Sequence, residues 1–399
     1  MKLVLAFSGG LDTSFCVAYL TREKGAAVTT VTVNTGGITR SELDRVAAQA
    51  KAVGAARHCE VDARSAVFDN FVATLIRGNV LRGGVYPVSV AAERTQQAIE
   101  VAKVARELGA DAVAHGSTGA GNDQVRFDVA FAVLLPGMPI VTPIRELGVA
   151  RTQAIAYLQE RALPVPEGSG AYSVNRGLWG ATFGGGWTHD PWQGPPAQLE
   201  EREESLPPGA EPSETVIAWR QGLPVALDGT EVAGHELVAE LDAKVRRYGI
   251  GRGIHLGETV LGIKGRIGFE AGAALVLIAA HRELEKLVLT RWQSFWKDHL
   301  AQFYGDRLHE GQAFDPVMRD IEALIASSQE RVEGDTRVRL APGHFQVEGV
   351  RSPYSLMDVS VARYGESNAL WTGEEARAFA KLAAVPALLA ARKDPCSPW

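Results

Sequence analysis

The residues best placed to do chemistry lie at the amino end, in the stretch MKLVLAFSGGLDTSF, residues 1–15. Leu3 to Phe7 is an apolar run of strand length. Ser8-Gly9-Gly10 then turns the chain tightly, since glycine has no Cβ to block close approach. Asp12, Thr13 and Ser14 follow, residue types that favour helix starts. Strand, small-residue loop and helix start together form an anion cradle, with unpaired backbone N–H groups and the positive end of a helix dipole facing one point. A phosphate or pyrophosphate suits it. The spacing is neither G-x-x-x-x-G-K-[ST] nor G-x-G-x-x-G, so the P-loop and the dinucleotide fingerprint are both absent.

A second constellation is HGSTGAGNDQVRFD, residues 115–128. A strand ends, a glycine-rich loop turns, and a helix begins near Asn122 or Asp123. Asn122 and Arg126 stand four apart and share a helix face. A guanidinium can clamp a carboxylate with two parallel hydrogen bonds, Asp123 can pair with an ammonium, and Thr118 adds a hydroxyl. A zwitterionic amino acid calls for that combination. The same spacing also fits a plain helix cap at Asn122 and Asp123 with Arg126 as a solvated charge, and His115 fits a packed histidine better than a base.

The elements that must hold these loops alternate. Strands are expected at 27–33, 57–61, 111–115 and 139–141. Helices are expected after Ser14, from a Ser41/Asp44 capping box to Gly54, over 68–76, over 95–108 and over 151–161. Alternation of this kind implies a parallel sheet covered by helices, with ligands beyond the carboxyl ends of the strands. The Ser8, Thr35 and Gly116 loops would all lie at that edge. The fold class expected is α/β: a nucleotide-binding domain over 1–166, a second α+β domain over 167–365, and a C-terminal helix within 366–399. In the second domain a loop over 191–212 is expected to be anchored by Trp187 and Trp192. Strand pairs are expected at 215–219 with 224–227 and at 337–340 with 343–350, a strand at 259–263, and helices at 235–248, in two pieces over 273–303, and at 315–327. The last helix, 374–392, is apolar on several faces and suits packing on its own chain or on a neighbour.

Composition bounds the class. The chain has 399 residues, 46% of them hydrophobic and 22% charged, with a formal net charge of −6. That balance belongs to a globular protein of two domains and speaks against a general nucleic-acid binder. Cys16, Cys59 and Cys396 form an odd, sparse set without metal-ligand spacing, as in a reducing compartment. Neither a secretion signal nor a membrane-spanning run is evident, so a cytoplasmic enzyme is expected.

The string AFSGGLDTS resembles the pyrophosphatase-type loop of enzymes that cleave ATP between its α and β phosphates. Together with HGSTGAGNDQVRFD it resembles the argininosuccinate synthases, which carry HG-x-TG-K-GNDQVRFE. Further strings fit that family in order: Tyr172-Ser173, Leu178-Trp179-Gly180, Asp190-Pro191, Gly262-Ile263-Lys264, Ala280-His281, Leu284-Glu285 and Ser352 to Leu356. The resemblance implies a ligase in which the ureido oxygen of citrulline attacks the α-phosphate of ATP, and the amine of aspartate then displaces AMP. It implies that Ala6, Phe7, Ser8, Gly9, Gly10, Leu11, Asp12, Thr13, Ser14, Val33 and Gly116 hold ATP, with Mg²⁺ at Asp12. Thr118, Asn122 and Asp123 would hold aspartate. Tyr86, Arg126, Ser173, Thr182 and Glu258 would hold the acceptor, with Asn122 shared. Asp12, Asp123 and Arg94 are expected to carry the catalysis, in a homo-oligomer, a tetramer by the resemblance. Departures gather on the acceptor side: Ala91 and Thr182 for serines, Phe269 for a tyrosine, and Gly257 for a glutamate that a one-residue shift would restore as Glu258. Glu93-Arg94-Thr95 stands for Ala-Arg-Pro, Ala120 for a lysine, and Asn175 and Gly177 for an aspartate and an asparagine. A ligase adding aspartate to a different ureido, amide or carboxyl acceptor remains an alternative, and a tRNA-modifying enzyme of the same loop family a second.

Overall fold

The computed structural model describes residues 1–166, 172–196 and 210–393. Cys396 and residues 197–209 of the expected loop lie outside them. Five parallel strands, β1 (Lys2–Ala6), β2 (Ala27–Asn34), β3 (Arg57–Asp62), β4 (Ala112–Ala114) and β5 (Ile140–Val141), pair in the order β3-β2-β1-β4-β5. Alternation along β1 sends Leu3 and Leu5 to one face and Val4 to the other. On the first face they pack with α1 (Leu11–Arg22) and α8 (Arg151–Glu160); on the second Val4 meets α5 (Ser89–Glu107) and α6 (Asp123–Leu134). The expected α/β sheet is present. Its order reverses between β1 and β4, so the loops after those two strands flank the crevice where such sheets bind ligands.

The rest of the first compact unit, Met1–Tyr354, is built on two antiparallel sheets. One has the order β11-β12-β7-β6, from β6 (Tyr172–Gly177), β7 (Gly180–Gly185), β11 (Arg252–Glu258) and β12 (Lys264–Glu270). The other contains β8 (Ser213–Arg220), β9 (Leu223–Leu227), β13 (Gly334–Ala341) and β14 (His344–Arg351). Gln221 and Gly222 both have positive φ, 50° and 72°, and make the tight β8–β9 turn their sequence suggests. Val67 to Ala92, although inside the first 166 residues, contributes its apolar side chains to the core of these antiparallel sheets, beside Trp179, Trp219 and Leu277. Ser355–Trp399 is a second unit, with helices Gly373–Ala383 and Val385–Lys393 that bury none of their residues within the chain. No helix among the described residues is long and apolar enough to cross a membrane.

Several sequence expectations are corrected. The capping box of α2 (Arg40–Ala52) is Thr39 with Glu42, whose side chains and backbone bond reciprocally; Ser41 already lies inside the helix. Residues 259–263 are the turn between β11 and β12, because Gly262 takes φ +82° and Thr259 N–H bonds back to the Ile263 carbonyl. Helix α5 begins at Ser89, six residues before the expected start. Trp187 is buried against Arg266, whereas Trp192 is almost fully exposed and anchors nothing. The terminal helix is two helices, divided just before Pro386, which lacks the N–H a continuous helix needs.

A buried polar cluster fixes the helix Arg291–His309, which reaches the site. Lys297 is fully buried and donates to Glu285 at 2.6 Å, and Gln329 donates to the other Glu285 oxygen at 2.6 Å. Removing one partner of such a pair strands the other charge in a dry interior, which costs more than the intact pair is worth. Lys297→Met is therefore expected to lower the unfolding free energy by about 3–5 kcal/mol, read by urea denaturation. A change under about 1 kcal/mol would show that the pair is solvated in solution.

Candidate active site

The amino-terminal loop closes as a cradle. Phe7 N–H bonds the Val31 carbonyl at 2.9 Å, and its own carbonyl accepts from Thr32 Oγ1 at 2.8 Å, so the end of β1 is held on β2. Gly9 has φ +75°, and a Cβ there would meet Val46 at 2.9 Å. Gly10 is the N-cap of α1 and supplies no side-chain cap, so the first amides of the helix are left for a ligand. Ser8 Oγ accepts from Gly10 N–H at 3.3 Å and lies 3.3 Å from the Thr13 hydroxyl. The buried Ser14 hydroxyl accepts from Gln49 at 3.1 Å. Burial pushes the Asp12 carboxyl up, against the pull of Arg151. Gly116 sits directly on this helix start: a Cβ there would lie 3.0 Å from Thr13 Cγ2 and 3.3 Å from the Asp12 carbonyl carbon. Val33 is buried near the end of β2, and the following Thr35 carbonyl accepts from Leu178 N–H at 2.8 Å. Two of the three loops expected at one edge thus meet, the Gly116 loop on the start of α1, while the contacts of the Thr35 loop run to Leu178 and Gln97.

The β4 loop is pinned by its histidine. His115 Nδ1 accepts from Ser117 N–H at 3.2 Å, so Nε2 carries the proton and donates to Asp128 at 2.9 Å; Asp128 also accepts from Arg145 at 2.6 Å. Asn122 precedes α6 without a side-chain cap bond. Its Oδ1 instead accepts from Val260 N–H at 2.9 Å, reaching the β11–β12 turn. Asp123 is gripped from two sides, by Arg94 Nε at 3.0 Å and Arg126 Nη1 at 2.7 Å. Burial alone would push its carboxyl up, but the two guanidiniums outweigh that and hold it below the usual carboxylate range. Thr118 is exposed on the loop nearby. Arg126 is buried and bonded within the protein: its other nitrogens donate to the His309 carbonyl at 3.1 and 2.9 Å. Arg94 also donates to Gln97 and to Asn175.

Strand register decides which residues share the wall expected to face the acceptor. Gly253, Phe269, Thr182 and Asn175 stand opposite one another across β11, β12, β7 and β6, so they share a face. Ser173, His255 and Gly257 lie on that face by alternation. It looks toward Tyr86, which stacks on His255 with ring centroids 5.6 Å apart and meets Phe269 at 5.6 Å. Tyr86 is buried, and its hydroxyl accepts from Val90 N–H at 3.2 Å. Ala91 is also buried, whereas Ser173 is exposed. Glu258 falls on the opposite, solvent-facing side with Ile254 and Leu256, where it pairs with exposed Lys264 at 2.9 Å. The structure thus does not bring Glu258 to Tyr86; the one-residue shift fails because it changes faces. His255 fills the room over Gly257, where a Cβ would lie 2.7 Å from its Nε2.

Sequence reasoning passed over His255, His309 and Arg82. Arg82 joins Asp306 at 3.3 Å, His255 Nε2 at 3.3 Å and the Glu258 carbonyl at 2.9 Å. None lies in a motif string; only the tight glycines at 83 and 257 mark the space His255 needs.

The family models for the argininosuccinate synthase N-terminal HUP domain and C-terminal domain match residues 2–164 and 172–390. The chain is 41% identical over 387 residues to an argininosuccinate synthase of Xanthomonas campestris, covering 95% of this chain and 96% of the relative. It is 38% identical to that of Dictyoglomus turgidum, covering 96% and 95%. It is 35% identical to that of Methanocaldococcus jannaschii, covering 91% of each.

Glu93, only 2% exposed, accepts from Trp179 N–H at 3.2 Å, and burial pushes its carboxyl up to about 8. A carboxyl raised above its unfolded value of 4.5 favours the fold at low pH, and that contribution is lost as pH rises through about 8. Glu93→Gln keeps the acceptor for Trp179 without the charge. It should flatten the fall in stability between pH 5 and 9 and make the protein more stable than wild type at pH 9, measured by denaturant titration at each pH.

Proposed function

The chain belongs to the argininosuccinate synthase family, and from that premise we propose that it joins L-aspartate to L-citrulline, cleaving ATP to AMP and pyrophosphate. The observation that carries this reading is the uncapped start of α1 under Gly116, whose loop leads on to Asp123 held between its two arginines. The cradle amides and the Ser8 and Thr13 hydroxyls hold the phosphates where negative charge builds as the ureido oxygen attacks the α-phosphorus and pyrophosphate leaves. The intermediate is citrulline carrying AMP on that oxygen. The amine of aspartate then forms the new C–N bond at the ureido carbon, and AMP leaves with the oxygen.

Asp123 binds the aspartate ammonium, with Thr118 and Asn122 around the same molecule. Arg94 holds Asp123 in place, and its bond to Asn175 ties that carboxylate to the acceptor wall. This is catalysis by positioning, in which a small displacement is costly. Mg²⁺ fits Asp12: one part-buried carboxylate together with substrate phosphates is the donor set this ion prefers. When bound, it neutralises phosphate charge. The exposed Phe379, Leu382 and Leu388 support assembly into a homo-oligomer, with a tetramer as our reading.

Pyrophosphate release over many turnovers should require ATP, aspartate and citrulline together. Asp123→Asn should raise the KM for aspartate by about tenfold or more, the worth of a charge-assisted bond, while the KM for ATP stays within about twofold. Sustained release over many turnovers without aspartate, or no release with any combination, would refute the reading.

A further inference from the structure

The side chain of Asn122 is held facing one way. It sits at the N-cap of α6, where an asparagine ordinarily turns its oxygen onto the amides of its own helix. Here it makes no such bond. Its Oδ1 accepts instead from the Val260 N–H at 2.9 Å, 138 residues away in sequence. Only the oxygen of a carboxamide can accept from a backbone N–H, so this contact settles the orientation of the whole group. Oδ1 is held toward the β11–β12 turn, and the Nδ2 donors are turned away from it. Asn122 is half-buried, and its Nδ2 has no hydrogen-bond partner among the described residues.

Both sides of the bond are fixed from behind. Gln124 Nε2 donates to the Gly121 carbonyl at 3.2 Å and also to that of Gly119, which steadies the backbone leading into Asn122. On the other side, Gly262 N–H bonds the Thr259 carbonyl at 3.0 Å, and Thr259 N–H bonds the Ile263 carbonyl at 2.8 Å. Val260 is thus the second residue of a four-residue turn that makes no use of its N–H. Asp123, next along from Asn122, is an acceptor fixed by Arg94 and Arg126. Thr118 lies close by: a Cβ at Gly121 would be 3.7 Å from its hydroxyl. Consecutive residues at the start of α6 therefore offer opposite functions, carboxamide donors and a carboxylate. That pair matches the carboxylate and the ammonium of one amino acid.

Resting on the ligase reading above, we propose that the Val260 N–H is a positioning group for aspartate: it holds the Asn122 amide so that Nδ2 donates to a substrate carboxylate while Asp123 takes the ammonium. The β11–β12 hairpin, which also carries Gly257 and Phe269, thereby sets how the second substrate is held. Without the bond, Asn122 is free to cap α6, and its donors turn with it.

Val260→Pro removes this one N–H. Proline suits the second position of such a turn, so the hairpin keeps its shape. Steady-state pyrophosphate release, with ATP and citrulline saturating, should show the aspartate KM raised about tenfold, with kcat and the ATP KM within about twofold. Val260→Ala, which keeps the N–H, should hold the aspartate KM within about twofold of the unaltered protein. A Val260→Pro protein that melts as the unaltered one does and keeps its aspartate KM would overturn the proposal. So would a fall in kcat with that KM unmoved, the mark of a merely structural turn. Asn122→Asp gives an independent reading, since it still accepts from Val260 N–H but has lost both donors. Its aspartate KM should rise about tenfold or more. A KM unchanged or lower would mean that an acceptor faces the substrate there, and would overturn the proposal even if Val260→Pro does not fold. In each of these cases turnover by the unaltered protein leaves the ligase reading standing; no release by the unaltered protein overturns both.

Discussion

A single buried guanidinium holds the site together. Arg126 rises from α6 of the parallel-sheet half and bonds both the Asp123 carboxylate and the carbonyl at the end of the helix Arg291–His309. A buried cation is tolerable only when its nitrogens are met, and here two are met by a carbonyl and one by a carboxylate. The proposed amino-acid pocket is consequently set by the same contact that docks the second half of the compact unit. The sequence offers Arg126 as a ligand for substrate, and in the fold it also fixes where Asp123 points.

A chain of polar contacts follows from that guanidinium. Asn175 meets Arg94, Arg94 meets Asp123, Asp123 meets Arg126, and Arg126 meets His309. One helical turn earlier, Asp306 meets Arg82, which meets His255 against Tyr86. The chain runs between the proposed acceptor wall and the proposed aspartate pocket. The amino-terminal cradle stands outside it and depends on backbone geometry, with Gly116 lying on the first turn of α1. On the proposed reading, nucleotide and amino-acid recognition rest on separate physical supports. This matches how the departures from the family strings are distributed: the cradle keeps its residues while the acceptor wall changes.

What could be read from the chain was local. The strand, turn and helix start at residues 3–14 are written in consecutive residues, and so is the β4 loop; both stand where expected. Facing and partnership were not local. Glu258 looked interchangeable with Gly257 on paper, but a pleated strand gives neighbours opposite faces. Residues 259–263 carry strand-like side chains yet form a hairpin turn, because Gly262 adopts a conformation open mainly to glycine. The place of Val67 to Ala92 in the antiparallel core, and the meeting of Arg126 with a residue 183 positions away, depend on long-range packing that no window of sequence contains.

Glu93 and Gly177 occupy, in effect, one volume. A Cβ at Gly177 would fall 2.0 Å from Glu93 Cδ, so a side chain there enters only if the flexible end of the glutamate swings out of its place. The two positions are therefore coupled: a larger residue at 177 displaces the acceptor that meets Trp179 N–H, and shortening 93 to make room leaves that amide unmet and a void beside the indole.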